Sequence, residues 1–287
     1  MRAAASAAEK WVRPRLVVSP SLEPAGRAGG QLRRSPLLRR LESFVELVEV
    51  RPQGGSAPGT SGADALACTF ADRPHDADGF LLKSSSPSCN PGDAAAAIDR
   101  SPLPAVEYED GLTDHRRRHD FLSRLFQVAR LRQMPGTARA VVDFHTGSKL
   151  LLLAHSEEGM RGLGRVVANR ARLPGQLLKE RYLQGFALAL ARPARTGPAV
   201  NALMHAFGHF SRVLVASEKR LFLSLLEAYR EDRSPLAAPL ALIRAWSARH
   251  GSAWVEAQSF FLPYPAELQD PEGSPLAPVC AGREQHA

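Results

Sequence analysis

The stretch FHTGSKLLLLAHSEEGMRGLG, residues 144–164, decides how most of this chain folds. It is an apolar run of helical length, punctuated by His145, Lys149 and His155. Ser156 with Glu157 and Glu158 behind it is a helix start: the hydroxyl accepts from a free backbone N–H, and the acids suit the positive end of the helix dipole. Outward from this stretch the apolar period stays near 3.6 from about residue 115 onward. It predicts helices over 116–133, 138–154, 156–171, 176–191, 198–214, 217–231 and 236–249, with a short one near 252–260. Ser217 with Glu218 repeats the capping pattern, and Pro235 and Gly251 punctuate the last long helix.

Upstream of about residue 110 the chain is rich in Gly, Pro, Ser and Ala, with short apolar pieces. Leu16-Val17-Val18 reads as a buried strand. Residues 36–47 read as a helix with Leu37, Leu38, Leu41, Phe44 and Val45 inward, and Val48-Glu49-Val50 and Phe80-Leu81-Leu82 as further strands. Residues 51–64 and 71–79 read as loops. Strand, helix, strand is the signature of an α/β unit with a parallel sheet. The expected fold class is therefore α/β, a small parallel-sheet N-terminal unit, followed by an all-α C-terminal domain. The expected divisions are a disordered N-terminus over 1–13, the α/β unit over 14–110, a basic junction helix over 111–137, the all-α domain over 138–268 and a disordered tail over 269–287.

Lys and Arg number 37 against 29 Asp and Glu, and a net charge of +8 favours a polyanionic partner. Arginine dominates the basic residues, and its planar, permanently charged head suits phosphate. No run of about 18 apolar residues exists, so no membrane span is expected. The start, MRAAASAAEKWVRPR, lacks the apolar core of a secretory signal. Cys68, Cys89 and Cys280 are too scattered for a disulfide framework or a zinc ribbon, and a reducing, cytoplasmic compartment is expected.

His145 and Lys149 stand four residues apart and share a helix face, with His155 ten residues beyond His145. Two readings stand side by side. The trio grips a phosphate or a base edge, or it is a set of buried hydrogen-bonding residues that fix helix packing. His205 and His209 have the spacing of a helical two-histidine metal site, but Ala-Phe-Gly lies between them and no glutamate, so no metal is expected. Asn201 and Gly208 are expected to mark a close helix crossing with a buried amide. Arg116, Arg117, Arg118, Arg124, Arg130 and Arg132 make the 116–132 helix strongly basic, which nominates Arg117 and Arg124 for contact with an RNA backbone. Arg161, Arg165, Arg170, Arg172, Lys179 and Arg181 extend that surface, and Lys149 is grouped with it. Gln258, Pro263, Tyr264 and Pro265 are expected to lock the C-terminal segment onto the bundle.

In order along the chain, His145, Lys149, His155, Gly164, Asn201, His205, Gly208, Lys219, Gln258 and Pro265 form a fingerprint that resembles the bacterial YbgA-like helical domain over about 138–268. A second resemblance lies upstream. Lys83-Ser-Ser-Ser86-Pro87-Ser88-Cys89 is similar to the K-x-x-SPSCG motif of the TudS-like thiouracil and thiouridine desulfidases. Val17-Val18-Ser19-Pro20-Ser21-Leu22, Val48-Glu49-Val50-Arg51-Pro52-Gln53 and the Pro102–Asp114 bridge are similar to other pieces of that family, in the same order. Proteins that fuse the two domains in this order are thought to remove sulfur from 4-thiouridine in tRNA.

The resemblance implies a [4Fe–4S] cluster on three thiolates, one iron left open for the substrate's sulfur, a carboxylate that moves protons, and serines, here Ser86 and Ser88, that orient the base. This sequence departs from that pattern. Ser21 and Arg51 stand where the first two cysteines belong, Gln53 stands where the carboxylate belongs, and only Cys89 remains. One thiolate does not hold a cubane cluster. The expectation is therefore a degenerate relative without cluster-dependent catalysis, whose helical domain meets tRNA or another RNA. The alternatives are an active iron–sulfur desulfidase and a helical protein-interaction module. The sequence does not give the oligomeric state.

Overall fold

A computed structural model describes residues 11–18, 36–48, 77–82 and 105–269. The cysteines, the desulfidase-like residues Ser21, Arg51, Gln53, Ser86 and Ser88, and most of the stretches expected to be loops or disordered lie outside the described residues. Trp11, Val12 and Arg13, placed by sequence in a disordered N-terminus, are ordered. Trp11 packs edge-on against Phe126 at 6.1 Å between ring centroids, and Arg13 donates to the Val45 carbonyl at 2.8 Å.

Among the described residues, four short strands form one parallel sheet: β1 (Arg15–Val18), β2 (Glu46–Val48), β3 (Gly79–Leu82) and β4 (Ala105–Tyr108), in the order β2-β1-β3-β4. β3 is buried at every position, as expected of a parallel strand covered on both faces. Leu16 and Leu81 face a core shared with Leu37, Leu38 and Leu41 of helix α1 (Pro36–Leu41), whereas Val17, Phe80 and Leu82 pack on the opposite face with Val48 and Val106.

Two details differ from the sequence reading. The helix expected over 36–47 stops at Leu41. Phe44 and Val45 reach the core from a turn, closed by Phe44 N–H donating to Leu41 O at 2.8 Å, and Glu46 N–H then pairs with Pro14 O. Their burial, which mimics helical spacing, comes from that turn. The strand expected at 48–50 consequently begins at Glu46. β4 was not anticipated, because Glu107 and the half-buried edge position dilute its apolar signal.

The rest is helical, as the period required: α2 (His115–Gln133), α3 (Ala138–Gly147), α4 (Lys149–His155), α5 (Glu157–Val167), α6 (Gly175–Ala189), α7 (Thr196–Phe210), α8 (Ala216–Arg230), α9 (Ala237–His250) and α10 (Ala253–Glu256). Short 3-10 turns lie at Asp110–Thr113 and Ala266–Leu268. Asp114 caps α2, accepting from the N–H groups of Arg116 at 2.8 Å and Arg117 at 3.0 Å. α2 then serves both cores. Phe121, Leu122, Leu125 and Phe126 join the sheet's core, and Val128 and Leu131 join that of the bundle. Full burial of each such side chain stabilises by roughly 1.5–3 kcal/mol.

The helix expected over 138–154 is two helices, α3 and α4, broken at Ser148. The cause lies more than a hundred residues downstream. Gln258 Nε2 donates to Thr146 O at 2.9 Å, Gln258 Oε1 accepts from Leu150 N–H at 3.2 Å, and Ser259 N–H donates to Gly147 O at 2.8 Å. Groups freed by the break are thus satisfied by one buried amide and its neighbour. Gly147 admits this approach, since a Cβ there would stand 2.8 Å from Ala257 O.

Ser156 caps α5 as expected, accepting from Gly159 N–H at 2.9 Å. Ser217 does not cap α8. The cap position is Val215, and Glu218 reaches back to accept its N–H at 3.0 Å. α5 ends at Val167, short of 171, because Asn169 turns the chain at φ 44° and closes the loop with both side-chain atoms on Leu173. Gly251, at φ 67°, ends α9 in the left-handed conformation that glycine adopts freely. Among the described residues, no helix is long and apolar enough to cross a membrane.

Candidate functional site

The fingerprint histidines point inward. His145 lies buried beneath α5 with its Nδ1 3.1 Å from the Tyr182 hydroxyl, and Tyr182 belongs to an aromatic cluster with Phe144 and Phe186. A Cβ on Gly164 would meet His145 Nε2 at 3.7 Å, an ordinary van der Waals contact. Burial lowers the His145 pKa, and the nearby Lys149 charge lowers it further. His155 is buried at the end of α4, with Nδ1 donating to the Arg192 carbonyl at 3.0 Å. Burial holds its pKa near 4, opposed by that hydrogen bond and aided by Arg124. Of the trio only Lys149 is exposed. The three do not converge on solvent, and the geometry of His145 and His155 is that of packing residues.

A polar cluster at the junction went unrecognised in the sequence. His119 Nδ1 lies 2.9 Å from the Tyr264 hydroxyl, and burial, then the charges of His155, His115 and Arg118, bring its pKa to about 4. Asp120 accepts from Ala194 N–H at 3.4 Å, and burial raises its pKa to about 6. Both lie inside the arginine-rich run, which read as one solvated face. The signal was there: His119 precedes Leu122 by three residues and Phe126 by seven, on the buried stripe of α2.

The arginines of α2 are largely engaged. Arg116 pairs with Asp232, and Arg117 pairs with Glu107 at 2.5 Å. Arg118 donates to Leu112 O at 2.9 Å. Arg124 is half-buried, its pKa lowered by burial against the pull of Asp120 and Glu107. Arg132 forms a two-point pair with Asp78. On α5, Arg161 pairs with Glu157 at 2.6 Å, whereas Arg165 is exposed. Arg170, Arg172 and Arg181 are also exposed, on the turn after α5 and on α6, which packs against α5. Lys179 spends its ammonium on the carbonyls of Arg132 and Met134, each at 2.7 Å, at the C-terminal end of α2.

Residues 149–265 match the family described as Protein of unknown function (DUF1722). The chain is 33% identical over 144 residues to the Uncharacterized protein YbgA of Escherichia coli (strain K12), an alignment that covers 49% of this chain and 84% of that protein. This chain belongs to the YbgA family. No solved structure matches it.

In this YbgA-family chain the match begins at Lys149, the first residue of α4, and ends at Pro265, just before the last 3-10 turn. The fingerprint within it divides in two. His155, Gln258 and Pro265 are buried. Asn201, His205 and Gly208 lie exposed along one face of α7, with the partly exposed Met204 between them and Lys219 half-buried on α8. The close crossing expected at Asn201 and Gly208 is absent: a Cβ on Gly208 would meet nothing within 4 Å. α7 packs on α4, and the side opposite its exposed face, with Ala199, Ala202, Leu203 and Ala206, is buried in the bundle core. His209 stacks on Trp254 at 4.3 Å between ring centroids, and among the described residues no three His, Cys, Asp or Glu side chains gather as a metal site.

Proposed function

We propose that this YbgA-family chain is a cytoplasmic, degenerate relative of the tRNA 4-thiouridine desulfidases, without cluster-dependent catalysis, and that its helical part binds tRNA or another RNA. The observation that carries the reading is the sheet. β1, β2 and β3 are parallel neighbours, so their last residues, Val18, Val48 and Leu82, share one edge. In doubly wound sheets of this order, ligands gather outside that edge, where the connections reverse direction. Ser21 and Arg51 each follow their strand by three residues, and Cys89 follows Leu82 by seven. These are the stretches from which a desulfidase would draw its cluster ligands. The side chains on offer are a hydroxyl, a guanidinium and one thiol, a donor set that does not fit a cubane cluster. Gln53, an amide in place of a carboxylate, cannot serve as a general acid or base during hydrolysis.

RNA binding draws support from the cations that remain exposed. Lys149, Arg165, Arg170, Arg172 and Arg181 form no ion pair among the described residues, and their charge is available to phosphate.

Two measurements test the proposal. Anaerobic incubation with iron and sulfide, followed by desalting, should leave no broad brown absorbance and no bound iron, and Cys89→Ala should change nothing. Stoichiometric iron that Cys89→Ala removes would overturn the loss of catalysis. Affinity for tRNA should fall linearly in log–log form with salt. Absent or salt-insensitive binding would remove the RNA half.

A further inference from the structure

An open cleft of about 890 Å³ lies between α2, α9 and α10, away from the sheet edge discussed above. Its floor is aromatic, with Trp11 and Phe126 held edge to face. Two guanidiniums stand on its walls, Arg130 from α2 and Arg244 from α9. Neither pairs with a carboxylate among the described residues; the Arg130 guanidinium carbon lies over the Phe144 ring, 5.6 Å from its centroid. Both arginine side chains are exposed, and their charge is available to an anion.

Two further lining groups are unspent. Gln127 is 1% exposed; its Nε2 donates to Pro263 O at 2.6 Å, which fixes the orientation of the amide and leaves Oε1 as a buried acceptor with no partner among the described residues. Ser259 is 5% exposed, its hydroxyl also buried and unpartnered. A buried polar atom without a hydrogen bond costs free energy of the order of 1–3 kcal/mol, and two such atoms stand in the walls of this one cleft.

We propose that this cleft binds a nucleotide. A planar base fits an aromatic floor, the two guanidiniums on the walls suit a phosphate, and a base edge that carries both an N–H and a carbonyl matches the Gln127 acceptor and the Ser259 hydroxyl just behind the cleft surface. Glu256, also on the lining, disfavours ligands of high negative charge and favours a monophosphate over a triphosphate.

This inference does not depend on the RNA reading. Uridine 5′-monophosphate, added to the full chain, should show saturation transfer from protein to its H5 and H6 protons and displacement by adenosine 5′-monophosphate. Uridine, which lacks the phosphate, should bind about tenfold more weakly. Arg244→Glu should weaken the monophosphate by about tenfold or more, and Ser259→Ala by roughly three- to tenfold. Neither side chain has a partner among the described residues, so both variants should stay folded. No transfer at millimolar monophosphate would overturn the proposal, as would equal affinity in the Arg244→Glu, Ser259→Ala double variant. Benzoate binding as tightly as the monophosphate would overturn the nucleotide assignment. A chain that binds tRNA but not the monophosphate fails here alone; the reverse result fails the RNA reading alone.

Discussion

Arg132 and Asp78 clasp α2 to the sheet. Nε and Nη2 of the arginine each lie 2.8 Å from a carboxylate oxygen of a side chain with no solvent exposure, and that carboxylate also accepts from Arg15 N–H at 2.8 Å. Removing the cation leaves a buried charge uncompensated. Arg132→Leu should cost about 3–5 kcal/mol in urea unfolding, while Asp78→Leu with Arg132→Leu should cost clearly less, because no orphan charge remains. Equal losses in the single and double variants would show that packing, not the ion pair, sets the cost.

Gln258 is the wedge that separates α3 from α4. Gln258→Leu keeps the volume but orphans Thr146 O and Leu150 N–H, and should destabilise by roughly 2–4 kcal/mol. Amide exchange at Leu150 should accelerate with it. Protection that survives in the variant would mean the two helices fuse into one and the break needs no wedge.

The junction imidazoles make stability pH-dependent. His119 and His155 have pKa values near 4 in the folded protein against an ordinary 6.5. Below pH 6.5 the unfolded chain binds protons that the folded protein refuses until about pH 4, so stability is full above that window and falls as pH drops through it. Asp120 acts the other way: its folded pKa of about 6 exceeds the ordinary 3.8, so acidification from 6 to 4 favours the folded state at this one group. Two imidazoles against one carboxyl should leave a net loss of order 1–3 kcal/mol between pH 7 and 4.5. Asp120→Asn should steepen the decline, and an unfolding midpoint flat across this range would contradict the burial of both imidazoles.

Gly208 has open space where a Cβ would go, on an exposed helix face. Gly208→Ala should therefore stabilise by about 0.5–1 kcal/mol. A destabilised variant would mean that something outside the described residues presses on this face.

For RNA, exposure ranks the cations differently from their density in sequence. Lys149→Glu with Arg165→Glu should weaken tRNA binding and flatten the salt dependence by about one unit of slope per cation. Arg117→Glu and Arg124→Glu should act more on stability, since Glu107 and Asp120 already face those guanidiniums. The opposite ranking, read by fluorescence anisotropy, would return the interface to α2.

The helices were legible because their apolar stripes are long and regular, and α2, α6, α7, α8 and α9 fall within about four residues of the expected bounds at each end. Three strands were legible as short apolar runs. The break at Ser148 was not, because its cause is a side chain more than a hundred residues away. The site was less legible than the fold. A charge run shows composition and not pairing, so Arg117, Arg124 and Arg132 read as a free basic face; Asp120 was counted as opposing charge, but Glu107 and Asp78, which pair with Arg117 and Arg132, were passed over. His119 was lost in the same run.

The segment after Gln258 has a thermodynamic consequence. Phe260 and Phe261 sit in the bundle's interior, and a few residues on, Tyr264 and Leu268 sit beneath the sheet beside Phe121 and Leu125. α2 divides its own side chains the same way. Neither half can melt without tearing a strand of hydrophobic side chains from the other, so calorimetry should record a single heat-absorption peak whose van't Hoff and measured enthalpies agree.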